Sequence, residues 1–198
     1  MTSDVSRAPS TFVRRFAPLM QRGGSALDLA AGHGRHARFL ASRGHPVLAV
    51  DRDERALAGL TSLEGITTMR ADLEDGFWPC GLDRFDAIVV TNYLHRPLFQ
   101  PIAGALRQGG VLVYETFMRG QELLGKPSRP EFLLEPGELL TAFPGLLVVA
   151  FEQGLVEGPA PAVLQRLCAV KGRRPDGVRL PPDSTAVGVA TLHPGEEG

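Results

Sequence analysis

Ala26-Leu27-Asp28-Leu29-Ala30-Ala31-Gly32-His33-Gly34-Arg35-His36-Ala37-Arg38-Phe39-Leu40 constrains the fold more than any other stretch of the chain. It reads as a short apolar strand, a turn punctuated by two glycines, and a helix with Ala37, Leu40 and Ala41 on one face. Glycine has no Cβ, so backbone at such a turn can come close to a ligand. The helix N-terminus behind it presents unpaired N–H groups.

Alternation of this kind continues along the chain. A helix is expected over 10–22, capped by Ser10 or Thr11, with Phe12, Phe16, Leu19 and Met20 on one face and Gly23-Gly24 as its stop. Strands follow at Ala26–Ala30, Val47–Val50 (ending at Asp51), Ile66–Arg70, Phe85–Thr91 and Val111–Phe117. Helices are expected between them at about 33–43, 54–62 and 94–107, the last disturbed by Pro97 and Pro101. A long loop, 118–135, precedes a short helix at Glu138–Phe143. Two last strands, Leu146–Phe151 and Ala162–Val170, have no helix between them and favour an antiparallel edge hairpin. The fold class is therefore α/β, an open Rossmann-like sheet of about seven strands, mostly parallel, with helices on both faces. The domain spans 1–172, and 173–198 reads as a Pro- and Gly-rich tail.

Composition narrows the function classes. With 198 residues, one domain with a proper core is expected. A formal net charge of -1 supplies no basic footprint for nucleic acid. No apolar run approaches the roughly 20 residues of a membrane span, and residues 1–7 lack the apolar core of a secretory signal. Cys80 and Cys168 match no metal spacing, so a reduced, cytoplasmic setting is expected. His33 and His36 lack a third ligand at compatible spacing, and no metal is assigned.

In an open parallel sheet, ligands bind beyond the carboxyl ends of the strands, where strand order reverses. Asp28, Asp51, Asp72, Asn92 with Tyr93, and Glu115 all fall at such ends. Asp51 follows the first glycine by about the 20 residues of a ribose-binding acid, the alternative being a helix cap. A nicotinamide dinucleotide and S-adenosylmethionine fit this spacing almost equally. Asp28 discriminates, because a carboxylate opposes a pyrophosphate and favours a cationic sulfonium and its ammonium group.

Leu27-Asp28-Leu29-Ala30-Ala31-Gly32-His33-Gly34 resembles motif I of the class I S-adenosylmethionine-dependent methyltransferases. Val50-Asp51, Ala71-Asp72-Leu73, Phe85 to Asn92 and Leu106 to Leu112 resemble the family's later strand ends. Gly32-His33-Gly34-Arg35-His36 is also similar to the small bacterial tellurite-resistance-type methyltransferases. The resemblance covers about 25–120 and departs from the family at Ala30, where glycine is common. The Asn-Pro-Pro-aromatic signature of amino-group methyltransferases is replaced by Asn92-Tyr93-Leu94-His95.

What the resemblance implies is in-line methyl transfer from the sulfonium to a nucleophile, leaving S-adenosylhomocysteine; the acceptor is read as a small molecule. Asp28, Ala30, Gly32 and Gly34 would hold the methionine part, Asp51 the ribose, and Asp72 with Leu73 the adenine. Arg52 would lie over the adenine face or is a solvated helix-start residue, and Asn92 would stand beside the cofactor. Asn92 or Tyr93 would orient the acceptor, and His95 or Glu115 would take its proton if it carries one, the alternative for His95 being a helix-start residue bonded locally. Arg119, Lys126 and Arg129 are candidates for a cationic lid over an acidic substrate, or are simply solvated. Phe12, Phe16 and Met20 either cover the cofactor or pack on the sheet, and Trp78 is a substrate wall or a plug. An NAD(P)-dependent oxidoreductase and a non-catalytic cofactor-binding protein are the alternatives. Oligomeric state is not legible.

Overall fold

A computed structural model describes residues 8–158 and 160–181. Seven strands form one sheet in the order β3-β2-β1-β4-β5-β7-β6. They are β1 (Ala26–Leu29), β2 (Val47–Asp51), β3 (Ile66–Arg70), β4 (Phe85–Thr91), β5 (Leu106–Phe117), β6 (Leu146–Val156) and β7 (Ala162–Lys171). The first five are parallel; β7 runs antiparallel between β5 and β6. Strand order reverses between β1 and β4, which places a crevice above their carboxyl ends.

Burial explains the strands. All seven residues of β4 are buried, as an apolar run covered on both faces requires. Ala87 and Val89 point to a core shared with α1 (Thr11–Phe16), α2 (Arg35–Ser42) and the segment Leu57–Leu60 around α3 (Glu54–Ala58). Ile88 and Val90 point to a second core with α4 (Phe99–Ala105) and α5 (Glu138–Ala142). Helices therefore cover both faces, as the α/β pattern requires.

The departures have local causes. The first helix ends at Phe16 and passes into a 3-10 turn, Ala17–Leu19, because Pro18 lacks the N–H an α-helix would use. Between β4 and β5, Pro97 opens a 3-10 turn at Arg96–Leu98, and Pro101 stands in the first turn of α4, where its N–H is not needed. That helix stops at Ala105, and β5 begins five residues earlier than expected, with a register shift opposite Phe85–Ala87. The hairpin strands are longer than the sequence suggests, and β7 rather than β6 takes the inner place.

Phe12, Phe16 and Met20 are core residues on the sheet face, each at most 4% exposed, so their role is packing and not a cover. Trp78 is a plug: its Nε1 donates to Gly81 O at 2.8 Å and its ring packs on the second core. Most of the expected tail, 182–198, lies outside the described residues. No helix among those described is long and apolar enough to cross a membrane.

Candidate active site

Above the carboxyl ends of the strands lies a cleft of about 320 Å³, within the ~300–1,000 Å³ range of small-molecule sites. On one side it is lined by Ala30, Asp51, Arg52, Asp72, Leu73 and Glu74, and on the other by Asn92, Tyr93, Leu94, Thr116 and Phe117. Pro127 and Phe132, from the loop after β5, close its outer edge.

Asp51 organises the first side. Its Oδ2 accepts from Gly32 N–H at 2.7 Å and its Oδ1 from Asp53 N–H at 2.9 Å. The α3 cap is Asp53, which accepts from Arg55 and Ala56 N–H, so capping does not consume Asp51. Each Asp51 oxygen keeps a lone pair for a donor in the cleft. Asp72 accepts from Glu74 N–H at 3.0 Å, which fixes its carboxylate at the rim beside buried Leu73.

The glycines of the turn divide their work. Gly32 has φ +53, and a Cβ there would meet no atom within 4 Å, so its backbone faces open space. Gly34 has φ +73, and a Cβ would collide with the Leu60 side chain; this residue lets α2 close on the segment after α3. Ala30 holds φ +54, a left-handed conformation costing an L-residue about 1–2 kcal/mol. Ala30→Gly should therefore raise stability by about 0.5–1 kcal/mol, read as a higher melting temperature. A fall would show that the methyl group's packing outweighs the strain.

Asp28 is not on the cleft wall. It is 1% exposed, and its Oδ2 accepts from Ala37 N–H at 2.8 Å, holding the start of α2 to β1. Burial pushes its pKa up to about 7, against the pull of that N–H and of Arg35. The unfolded carboxyl titrates near 3.8, so stability carried by the protonated form is lost as pH rises through about 7. Asp28→Asn keeps an acceptor for Ala37 and removes the titration. Its stability relative to the parent should be higher at pH 8 than at pH 5 by chemical denaturation; a difference independent of pH would mean that Asp28 does not titrate there.

Two acceptor-side candidates lie elsewhere. His95 caps the 3-10 turn at Arg96 through its backbone, its carbonyl accepting from Leu98 N–H, and it does not line the cleft. Glu115 alternates with Thr116 on β5 and so faces the opposite side of the sheet, 5% exposed. There its Oε2 accepts from Ser10 Oγ at 3.0 Å and lies 2.6 Å from Arg166 Nε. The guanidinium is turned so that Nε–H has no aligned acceptor, and the contact is an ion pair more than a hydrogen bond. The loop cations are also engaged: Arg119 pairs with Glu135 at 3.5 Å and Arg129 with Glu131. The loop offers the cleft Pro127 and Phe132, and none of Arg119, Lys126 and Arg129 lines it.

Sequence reasoning missed the buried polar cluster under α1. His36 Nε2 accepts from Ser10 N–H at 3.1 Å, which places the proton of the neutral ring on Nδ1, 3.3 Å from Thr91 Oγ1. Burial, and then the charge of Arg35, push His36 down to about 3 and keep it neutral. One signal was available: a lone arginine, Arg166, inside an apolar strand is the natural partner of a buried strand acid. Thr116 gave no signal, because nothing in sequence tells which strand face meets the cleft.

Residues 26–110 match the family model described as a methyltransferase domain. No curated protein sequence matches the chain. Among solved structures, TehB from Haemophilus influenzae aligns with a TM-score of 0.64 and 18% identity, over 75% of this chain and 57% of that one. An S-adenosylmethionine-dependent methyltransferase from Mesorhizobium loti aligns with a TM-score of 0.65 and 19% identity, over 82% of this chain and 98% of that one. A TehB-like methyltransferase from Corynebacterium glutamicum aligns with a TM-score of 0.60 and 21% identity, over 80% and 86%. The chain thus spans little more than half of the Haemophilus protein but nearly all of the Mesorhizobium one. Residues 26–110 are thus similar to a methyltransferase domain, and the chain has the Rossmann-like fold found in S-adenosylmethionine-dependent methyltransferases.

Proposed function

We propose that the protein transfers a methyl group from S-adenosylmethionine to a small-molecule acceptor. The observation that carries this reading is the Asp51 clamp. One carboxylate fixes the glycine turn through Gly32 N–H and still faces the cleft with free lone pairs. A ribose diol fits those lone pairs, and Asp72 beside Leu73 suits an adenine amino edge. The open space at Gly32 accommodates the methionine part. Asp28 acts from beneath, positioning the turn through Ala37 N–H.

The bound donor supplies an electrophilic methyl on a positively charged sulfur. The chain's own residues align and desolvate: Asn92 and Tyr93 stand where the acceptor approaches, and Phe117, Pro127 and Phe132 exclude water. A cytoplasmic setting belongs to the same reading, supported by Cys80 and Cys168, both buried and unpaired.

Calorimetric titration tests the reading. S-adenosylhomocysteine should bind and the nicotinamide dinucleotides should not; binding of a dinucleotide instead would favour an oxidoreductase.

A further inference from the structure

The cleft has two unlike walls. On the side of β2 and β3, Asp51, Asp72 and Glu74 set three carboxylates against the one guanidinium of Arg52. On the other side, apart from Asn92 and Thr116, the lining is Tyr93, Leu94, Phe117, Pro127 and Phe132, an outer wall rich in aromatic rings. Asp51 and Asp72 are assigned above to the ribose and the adenine. Glu74 is left over, and its Oε1 lies 3.5 Å from the Tyr93 hydroxyl, which puts its charge where the two walls meet.

This asymmetry selects among nucleophiles. A field of carboxylates opposes an anion, so carboxylate, phosphate and thiolate acceptors are disfavoured. Alcohols and alkylamines must lose a proton to attack, and an alkylamine with a lysine-like pKa of about 10.4 is protonated at neutral pH. Carboxylates, the conjugate bases of acids with pKa about 4, are too weak to take either proton. Among the described residues no histidine, cysteine or lysine lines the cleft. Tyr93 offers no base either, because burial first, and then the charge of Glu74, push its phenol up and keep it protonated. A ring nitrogen of the imidazole or pyridine type needs no such help. Its lone pair is available at neutral pH, as an imidazole pKa of about 6.5 implies, and its flat ring suits an aromatic wall.

We infer that the acceptor is a small, neutral nitrogen heterocycle, methylated on a ring nitrogen to give a cation held between the acidic and aromatic walls. This rests on the methyltransferase reading. The nitrogen lone pair forms the new N–CH3 bond as the bond from methyl to the sulfonium breaks. The electron pair of the broken bond stays on the departing sulfur, which becomes a neutral thioether. The ring nitrogen takes over the positive charge, and no proton moves in the step. Glu74, by its charge, and the Tyr93 ring, by its electron-rich face, favour that charge in its new place.

The probes γ-picoline, p-cresol, p-toluate and p-thiocresol share nearly one shape and differ in the reacting group. Each is supplied with S-adenosylmethionine and followed by mass spectrometry. The picoline should be methylated at least about tenfold faster than the other three. Preference for any of those, or no turnover of the picoline while S-adenosylhomocysteine binds normally, overturns the inference. Magnetic-resonance titration of protein saturated with S-adenosylhomocysteine tests the charge preference without turnover. The product cation, N-methyl-γ-picolinium, should bind about tenfold more tightly than p-xylene, its uncharged isostere. Glu74→Gln and Tyr93→Leu should each reduce that preference about threefold, with Tyr93→Phe retaining it and S-adenosylhomocysteine affinity unchanged in Glu74→Gln. Equal affinity for cation and hydrocarbon in the parent, or an undiminished preference in both Glu74→Gln and Tyr93→Leu, overturns the inference but leaves the cofactor reading intact. Failure of S-adenosylhomocysteine to bind the parent protein is a separate result, and it removes the methyltransferase reading itself.

Discussion

Glu115→Ala should lower folding stability by about 3–5 kcal/mol, the scale of breaking a buried ion pair from one side. The substitution takes from Arg166, whose side chain is 16% exposed, the carboxylate 2.6 Å from its Nε and leaves it Glu152, whose Oε2 lies 3.4 Å from its Nη1. It also removes the acceptor of Ser10 Oγ, the hydroxyl that caps α1 through Phe12 N–H. The second substitution in the pair, Arg166→Met with Glu115→Leu, replaces both charges by apolar side chains. It should recover much of the loss, because the penalty lies in the stranded charge and not in the missing attraction. Denaturant unfolding measures both. S-adenosylhomocysteine affinity of the folded Glu115→Ala protein should stay near that of the parent. A variant as stable as the parent but catalytically dead would return Glu115 to the acceptor.

Asp51→Ala should do the reverse. Folding should change little, because the lost bonds are to N–H groups at a half-open rim that water can reach. Affinity for S-adenosylhomocysteine should fall about 10- to 100-fold, equivalent to ~1–3 kcal/mol for charged hydrogen bonds to the ribose. The loss has two parts, direct contact and the slackening of Gly32, whose N–H no longer has an anchor. Asp51→Asn separates them: its one remaining oxygen can hold Gly32 but binds a diol less well than a carboxylate. Its affinity should fall between the other two. Unchanged binding in Asp51→Ala would remove this residue from the cofactor site.

These two acids show where the sequence was legible and where it stopped. Position along a strand is written in the hydrophobic run, so Asp51, Asp72 and Asn92 were placed at sheet tips from pattern alone, and the cleft gathers all three. Which face a tip residue takes is not written there when both faces are buried. Glu115 and Thr116 are neighbours in equally apolar surroundings, and only the three-dimensional register sends one to the α1 side and the other to the cleft. Charge partners are similarly hidden, since Glu115 and Arg166 meet through a strand pairing between elements far apart in sequence. Arg119 and Arg129 read as free cations until the loop folds their acids beside them. Asp28 was assigned direct contact because its motif position was clear; its burial beneath the turn depends on how α2 docks.

The place of β7 bears on how the molecule is made. A ribosome releases this chain from its N-terminus, so β1 to β5 are available long before residues 162–171. Until then β5 has an exposed flank, and the carboxylate of Glu115 has no counter-ion from the arginine that arrives last. The domain should therefore complete its fold only after β7 has been made, and nascent chains halted before residue 160 should remain sensitive to protease and prone to pair with one another along the bare strand.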